Sequence, residues 1–290
     1  MPEPAYPGSA GCSAPGALAN APIMETQVTE VHDFSSKVAV VVGASKGIGA
    51  ETARAFARAG AAVVLAARNQ AAIEDVTRQI EAAGGRALAV AADVTDPRSM
   101  EALVLTTIDT FGRLDAAFNN ATDGPGPAPL AKIDAEAFDH GIRTNIHGTF
   151  HGMKFQIAAM LGNGGGTIVN MASTAGVAGV SGLSAYVAGK AGIIGLSRVA
   201  ALDYADQNIR VNVVAPGPVL THHLEEAGPD VQRMAAMAVP MGRLGSIIDV
   251  ANTVLWLSSP SSGFVTGAVL PVDGGQLAGR VIKSNFRRDV

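Results

Sequence analysis

The sequence predicts an α/β fold: a doubly wound, seven-stranded parallel sheet with helices on both faces, built as one large domain over residues 35–278. Apolar, strand-like runs alternate with helix-like periods along the chain, and strands separated by helices of about ten or more residues pair in parallel through right-handed crossovers. The first of these runs passes straight into a glycine-rich turn and an alanine-rich helix, a buried-strand pattern with a sharp exit. Composition agrees, since 290 residues with 48% hydrophobic and 16% charged can bury a substantial core.

Taken in order, the first strand is Val38–Val42, and Gly43-Ala44-Ser45-Lys46-Gly47-Ile48-Gly49 follows it. Gly43 permits a sharp exit from the strand and Gly47 lets backbone approach an anion. Gly49 lets the next helix pack tightly on the sheet, with free N–H groups at its N-terminus. The spacing is Gly-x-x-x-Gly-x-Gly, distinct from the common dinucleotide fingerprint, and an ordinary tight turn is the plain alternative. The second strand, Ala62–Ala66, runs into Ala67-Arg68, and the third, Arg86–Ala92, into Asp93-Val94. Leu114–Phe118 is followed by Asn119-Asn120-Ala121, Gly166–Met171 by Ser173, and Ile209–Val214 by Pro216-Gly217; Ala268–Val272 closes the sheet. Ligands of such sheets bind at the carboxyl ends of the strands, so Asn120, Ser173 and Pro216 are expected to converge on one edge.

Tyr186 and Lys190 lie four residues apart in a helical stretch and therefore share a face. A phenol beside a fixed ammonium is a proton donor whose pKa can fall from about 10 toward neutral pH. That spacing also arises by chance on surface helices; its weight comes from Ser173, upstream of the pair, and from the glycine turn.

Gly43 to Gly49, Asn119-Asn120-Ala121, Asn145, Ser173, the Tyr186/Lys190 pair and Pro216-Gly217 together resemble the short-chain dehydrogenase/reductase family over roughly residues 36–278. The resemblance implies a single Rossmann-type domain that moves a hydride between a nicotinamide cofactor and an alcohol or carbonyl. It implies cofactor contacts from Gly43, Ser45, Lys46, Gly47, Ile48, Gly49, Arg68, Asp93, Val94, Asn120, Ala121, Tyr186, Lys190, Pro216, Gly217, Val219 and Thr221. Asp93 is expected to receive the adenine amino group with Val94 beside the ring, although Asp93 is equally placed to cap a helix ahead of Pro97. Charge then argues for the cofactor type. NAD-type sites carry a carboxylate near the end of the second strand, whereas a 2′-phosphate needs cations. Ala67 stands at the carboxylate position, Arg68 follows it and Lys46 adds a second positive charge, so NADP(H) is expected over NAD(H).

Hydride attack on a carbonyl leaves negative charge on oxygen, which a proton or a donor must meet. Tyr186 is the expected acid, Ser173 the group that holds the substrate oxygen, and Lys190 the cation that favours the phenolate and, by resemblance, bonds the nicotinamide ribose. Asn145 matches the family asparagine that keeps a water in the proton relay. Two positions depart from the family pattern: Val42 stands in place of a threonine and Thr122 in place of a glycine. Both are expected to affect the cofactor cradle and not the proton path. The rival readings are an NAD-linked alcohol or sugar dehydrogenase and, in a different class, a non-catalytic NADP(H)-binding redox sensor.

A net charge of −4 without a long Lys/Arg block argues against nucleic acid or an anionic membrane as partner. Cys12 is the only cysteine, no apolar run approaches a membrane span, and the expected location is cytoplasmic. Residues 1–34, rich in Pro, Gly, Ala and Ser and without Lys or Arg, read as a disordered extension and not a targeting segment; residues 279–290 read as a tail. His147 and His151 lack the Glu and further ligands of a metal motif, so no metal is expected, and Ser173 lacks a nucleophile elbow. After Pro216-Gly217, Leu224, Met234, Met237 and Met241 suggest an adaptable apolar lid, with His222 and His223 on an exposed loop. The small residues Ala188, Gly189, Ala191, Gly192 and Gly195 beside Tyr186/Lys190 call for close helix packing, within the chain or across a two-fold axis; a dimer or tetramer is expected.

Overall fold

The structure, a computed structural model, describes residues 32–279; the C-terminal tail from 280 and the N-terminal extension up to residue 31 lie outside the described residues. Phe34, placed by sequence at the end of that extension, is instead a core residue, edge-on to Phe56 with ring centroids 5.0 Å apart.

The elements alternate as expected. They run β1 (Val38–Val42), α1 (Gly47–Arg58), β2 (Ala62–Ala67), α2 (Gln70–Ala82), β3 (Arg86–Ala91), α3 (Pro97–Phe111), β4 (Ala116–Asn119), α4 (Ala135–Ile142) and α5 (Gly148–Gly162). There follow β5 (Gly166–Met171), α6 (Thr174–Val177), α7 (Ser184–Tyr204), β6 (Ile209–Pro216), α8 (His222–Glu226), α9 (Pro229–Met237), α10 (Ile247–Ser258) and β7 (Val269–Val272). All seven strands are parallel in the order β3-β2-β1-β4-β5-β6-β7. The chain winds outward from β1 to β3, then returns to the other side of β1 for β4, so the switch point lies between the carboxyl ends of β1 and β4.

Strand side chains alternate between two cores. Ala39 and Val41 of β1 join Phe56, Leu65 and Ile73 beneath α1, α2 and α10, whereas Val40 and Val42 join Val64, Leu103 and Ile168 beneath α3, α5 and α7. A strand buried on both faces reads as a continuous apolar run, which is why β1 and β2 were legible. Polar groups trimmed the other boundaries. β4 starts two residues later than the sequence suggested, just after Asp115, whose carboxylate takes the Val38 N–H (3.0 Å) and the Arg113 guanidinium (2.6 and 2.7 Å). β6 runs on through Pro216, which pairs in register with Val272.

One helical stretch, Ser184–Gln207, does reach a membrane-spanning length with a mean hydropathy of 1.2 over 18 residues, contrary to the sequence expectation. Alanine and aliphatic residues raise that average, 44% of the window is buried within the fold, and the helix carries the buried Lys190. Its small residues are used within the chain: a side chain at Gly189 would strike Asn145 at 2.8 Å, and one at Gly192 would strike Ile146 at 2.6 Å.

Candidate active site

A cleft of about 870 Å³ opens at the carboxyl ends of the strands, over the switch point. Gly43, Ser45, Lys46, Gly47, Ile48, Arg68, Asp93, Val94, Asn120, Ala121, Ser173, Tyr186, Lys190, Pro216, Gly217, Val219 and Thr221 all line it. Gly49 and Asn145 do not; each stands one layer behind the wall.

The β1–α1 turn forms the floor. Gly43 has φ +81 and Gly47 φ +57, and a side chain at Gly47 would project into open space. A Cβ at Gly49 would lie 2.1 Å from Gly43 O, so only glycine lets α1 begin that close to the turn. Asn120 Nδ2 donates to the same Gly43 O at 2.9 Å and ties the floor to the end of β4. No side chain caps the N-terminus of α1 and no acid occupies its first turn. Open backbone at Gly47 and uncapped N–H groups together fit an anionic pyrophosphate, so the residues present suit a dinucleotide.

Ser173, just past β5, sits where the backbone is extended, and its Oγ accepts from Ala175 N at 3.1 Å. Its hydroxyl donates to Pro216 O at a long 3.5 Å and also bears on the Tyr186 phenol, whose pKa it lowers. Lys190 follows one turn after Tyr186 on α7; its Nζ lies 5.5 Å from the Tyr186 ring centroid and donates to Met171 O at 3.0 Å. The two groups titrate unlike the sequence expectation. Burial pushes the Tyr186 phenol above its ordinary 10, and the bond from Ser173 offsets this only in part. Burial also pushes Lys190, only 1% exposed, down to about 7. Burial is thus the dominant influence on both groups, and it outweighs the lowering expected for a phenol beside a fixed cation.

Asn145 lies in a π-helical turn, Arg143–His147, between α4 and α5. Its amide donates to Asp123 O (2.8 Å) and Gly141 O (2.9 Å), and its Oδ1 accepts from Thr122 Oγ1 at 2.8 Å. Thr122, expected only to affect the cofactor cradle, thus also bonds the side chain of Asn145, its hydroxyl donating to the oxygen of a buried amide. Beside Thr122, Asp123 Oδ2 meets Arg68 Nη2 at 3.4 Å and His140 Nε2 at 3.2 Å. Burial alone would raise the Asp123 carboxyl, yet the bonds from His140 and Gly124 N and the nearby charges bring it below the usual carboxylate range. The Asp93 carboxyl is also held low, chiefly by the Thr95 backbone N–H, against some burial and with help from Thr95 Oγ1, Arg68 and His140. Sequence reasoning missed Asp123 and His140, and nothing local marks either one.

The expected lid differs. Thr221 and His222 line the cleft, and Pro125, Pro127 and Leu183 supply apolar wall. Met234, Met237 and Met241 are instead 70%, 81% and 65% exposed; the side chain of His223 lies outside the described residues. His147 and His151 stack edge to face, and His151 Nδ1 is committed to Val94 O at 2.9 Å.

Residues 43–276 match the family model described as enoyl-(acyl carrier protein) reductase. The chain is 38% identical over 246 residues to the A-factor type gamma-butyrolactone 1′-reductase (1S-forming) of Streptomyces virginiae, covering 83% of this chain and 96% of that one. It is 42% identical to the cis-4-hydroxycyclohexanecarboxylate dehydrogenase of Sinomonas cyclohexanicum, covering 84% and 98%. Among solved structures, 7α-hydroxysteroid dehydrogenase complexed with NADH and 7-oxo glycochenodeoxycholic acid superposes with a TM-score of 0.80 at 35% identity, covering 84% of this chain and 95% of that one.

Proposed function

This chain belongs to the short-chain dehydrogenase/reductase family and is an oxidoreductase of CH–OH and C=O groups with a nicotinamide cofactor; from that premise we propose that it reduces a ketone on a saturated ring, with NADP(H) and with Tyr186 as general acid. The observation that carries this reading is the common wall on which Ser173, Tyr186 and Lys190 stand with the glycine turn.

The bound cofactor supplies the hydride at its nicotinamide. The turn from Gly43 to Gly49 and the start of α1 would hold its pyrophosphate, Asp93 and Val94 its adenine, and Arg68 with Lys46 its 2′-phosphate. Ser173 orients the substrate oxygen through its hydroxyl. Tyr186, a phenol protonated at neutral pH and pushed further that way by burial, delivers the proton as negative charge develops on that oxygen. Its protonation state suits reduction better than oxidation. Lys190, one turn beyond Tyr186 with its Nζ 5.5 Å from the phenol ring, would bond the nicotinamide ribose and favour loss of the phenol proton whenever it is charged. Asn145 positions the loop after β4 through Asp123 O, and Thr122 fixes the amide of Asn145. The ring preference is supported by the apolar wall of Pro125, Pro127, Leu183 and Val219 and by the ring alcohols and ketones in the relatives' names. Exposed Leu202 and Val199 on α7, with Phe150 and Leu161 on α5, support assembly as a dimer or tetramer.

A second reading, an NAD-linked dehydrogenase, is favoured by the carboxylate of Asp123 on Arg68 and by NADH in the steroid dehydrogenase complex. A panel of cyclic ketones assayed with NADPH and with NADH separates the two. Tyr186→Phe is expected to abolish turnover, by at least about a thousandfold, while cofactor binding persists; retained turnover would remove Tyr186 as the acid.

A further inference from the structure

We infer that Asp123 is a specificity-determining residue, tuning the choice between NADP(H) and NAD(H) by competing with the 2′-phosphate for the Arg68 guanidinium. The inference rests on the reading above that Arg68 faces the 2′ position, and it adds a residue that the cofactor argument from β2 alone does not contain.

Arg68 stands at the end of β2 and Asp123 beyond β4, on either side of β1, and both line the cleft. Their side chains meet at 3.4 Å, and among the described residues Asp123 is the one carboxylate in ion-pair contact with Arg68. The carboxylate is held in place from its own side of the cleft: Oδ1 accepts from Gly124 N at 2.9 Å, and His140 Nε2 of α4 lies 3.2 Å from Oδ2. Asp123 thus stays where it is, whereas Arg68, with 66% of its side chain exposed, can turn away.

Magnitudes make this a tuning device and not a block. An exposed ion pair with one long contact is worth a factor of about 1.4 to 5 in an equilibrium. A phosphate dianion offers Arg68 a stronger, forked acceptor than a single carboxylate oxygen. It therefore displaces Asp123, but at reduced affinity, and it binds beside a fixed negative charge. NAD(H), with a neutral 2′-hydroxyl, meets neither cost.

The test is calorimetric titration of the full chain with 2′,5′-ADP and with 5′-AMP, which reads the 2′-phosphate without turnover. Asp123→Asn keeps the size of the side chain and an acceptor for Gly124 N, and the backbone carbonyl that Asn145 uses is untouched. It is expected to tighten 2′,5′-ADP about two- to fivefold and to leave 5′-AMP unchanged. In an Arg68→Ala background most of that gain should vanish, leaving only what comes from removing the fixed negative charge beside the phosphate. Asp123→Ser, a second way to remove the charge, should reproduce it. An unchanged ratio in both variants overturns the inference, and so does a fall, which would mean that Asp123 aims Arg68 at the phosphate. The NADP(H) reading fails separately, if wild type binds the two fragments equally and Arg68→Ala changes neither. A preference created by Asp123→Asn in that case still upholds the inference and makes the wild type NAD-linked.

Discussion

Replacing Lys190 by Met should make the cofactor-free protein more stable while destroying its activity. Lys190 is fully enclosed, and its pKa falls from 10.5 to about 7. At about 1.4 kcal/mol per pH unit, that difference corresponds to a burial cost on the order of 5 kcal/mol wherever both folded and unfolded states are protonated. Methionine fills the same volume without the charge. It forfeits the bond from Nζ to Met171 O, worth about 1–2 kcal/mol once the carbonyl is left without that donor. The net gain at pH 6 is about 3 kcal/mol, or roughly 6–12 °C in Tm. The pH dependence identifies the cause. Between about 7 and 10.5 the unfolded wild type binds more protons than the folded one, so wild-type stability from this group rises with pH across that window. The advantage of Lys190→Met should therefore be full at pH 6 and shrink to less than about 1 kcal/mol by pH 9. Urea unfolding of both proteins at the two pH values, at one protein concentration, measures it. A variant less stable than wild type at pH 6, or a difference equal at pH 6 and 9, would refute the reasoning.

Gly49→Ala should weaken cofactor binding at least about tenfold and cost about 1–3 kcal/mol of stability, because its Cβ would lie 2.1 Å from a backbone oxygen that cannot yield; fluorescence titration and unfolding curves check both. Thr122→Val leaves Asn145 Oδ1 buried without its donor and should cost about 1–2 kcal/mol, with kcat lowered more than KM is raised; Thr122→Ser should restore both, a recovery that simple loss of packing does not predict. In the alcohol-oxidising direction, which needs the phenolate, the rate should climb with pH up to the alkaline limit of the protein, whereas ketone reduction stays flat near neutrality. Ser173→Ala removes the bond that lowers the Tyr186 pKa, so the remaining oxidation profile should move further alkaline; a shift toward acid would contradict the assignment.

Local pattern made much of this molecule legible. Five apolar residues in β1, a glycine turn and an alanine-rich helix are short-range signals, and a strand buried on both faces announces itself without reference to the rest of the chain. Tyr186 and Lys190 share a face because helix geometry alone puts them there. Most of the predicted wall residues therefore line one cleft, since many of them follow strand ends in a parallel sheet and Tyr186 and Lys190 reach it from α7. Boundaries were less legible where a polar group ended a run, as Asp115 does before β4.

What the sequence by itself determined was the order of elements, the sheet they form, and which residue types reach its carboxyl edge. Tertiary structure alone decided the state of those residues. Burial, which no local spacing encodes, turned Lys190 from a fixed cation into a group that titrates near pH 7 and pushed the Tyr186 phenol up instead of down. Contacts between distant segments decided the rest: Thr122 on Asn145, and Asp123 between Arg68 and His140, join residues that lie far apart in sequence. Short-range periodicity records which way a side chain faces, but its pKa and its ionic partner depend on the dielectric and charges that the completed fold brings around it.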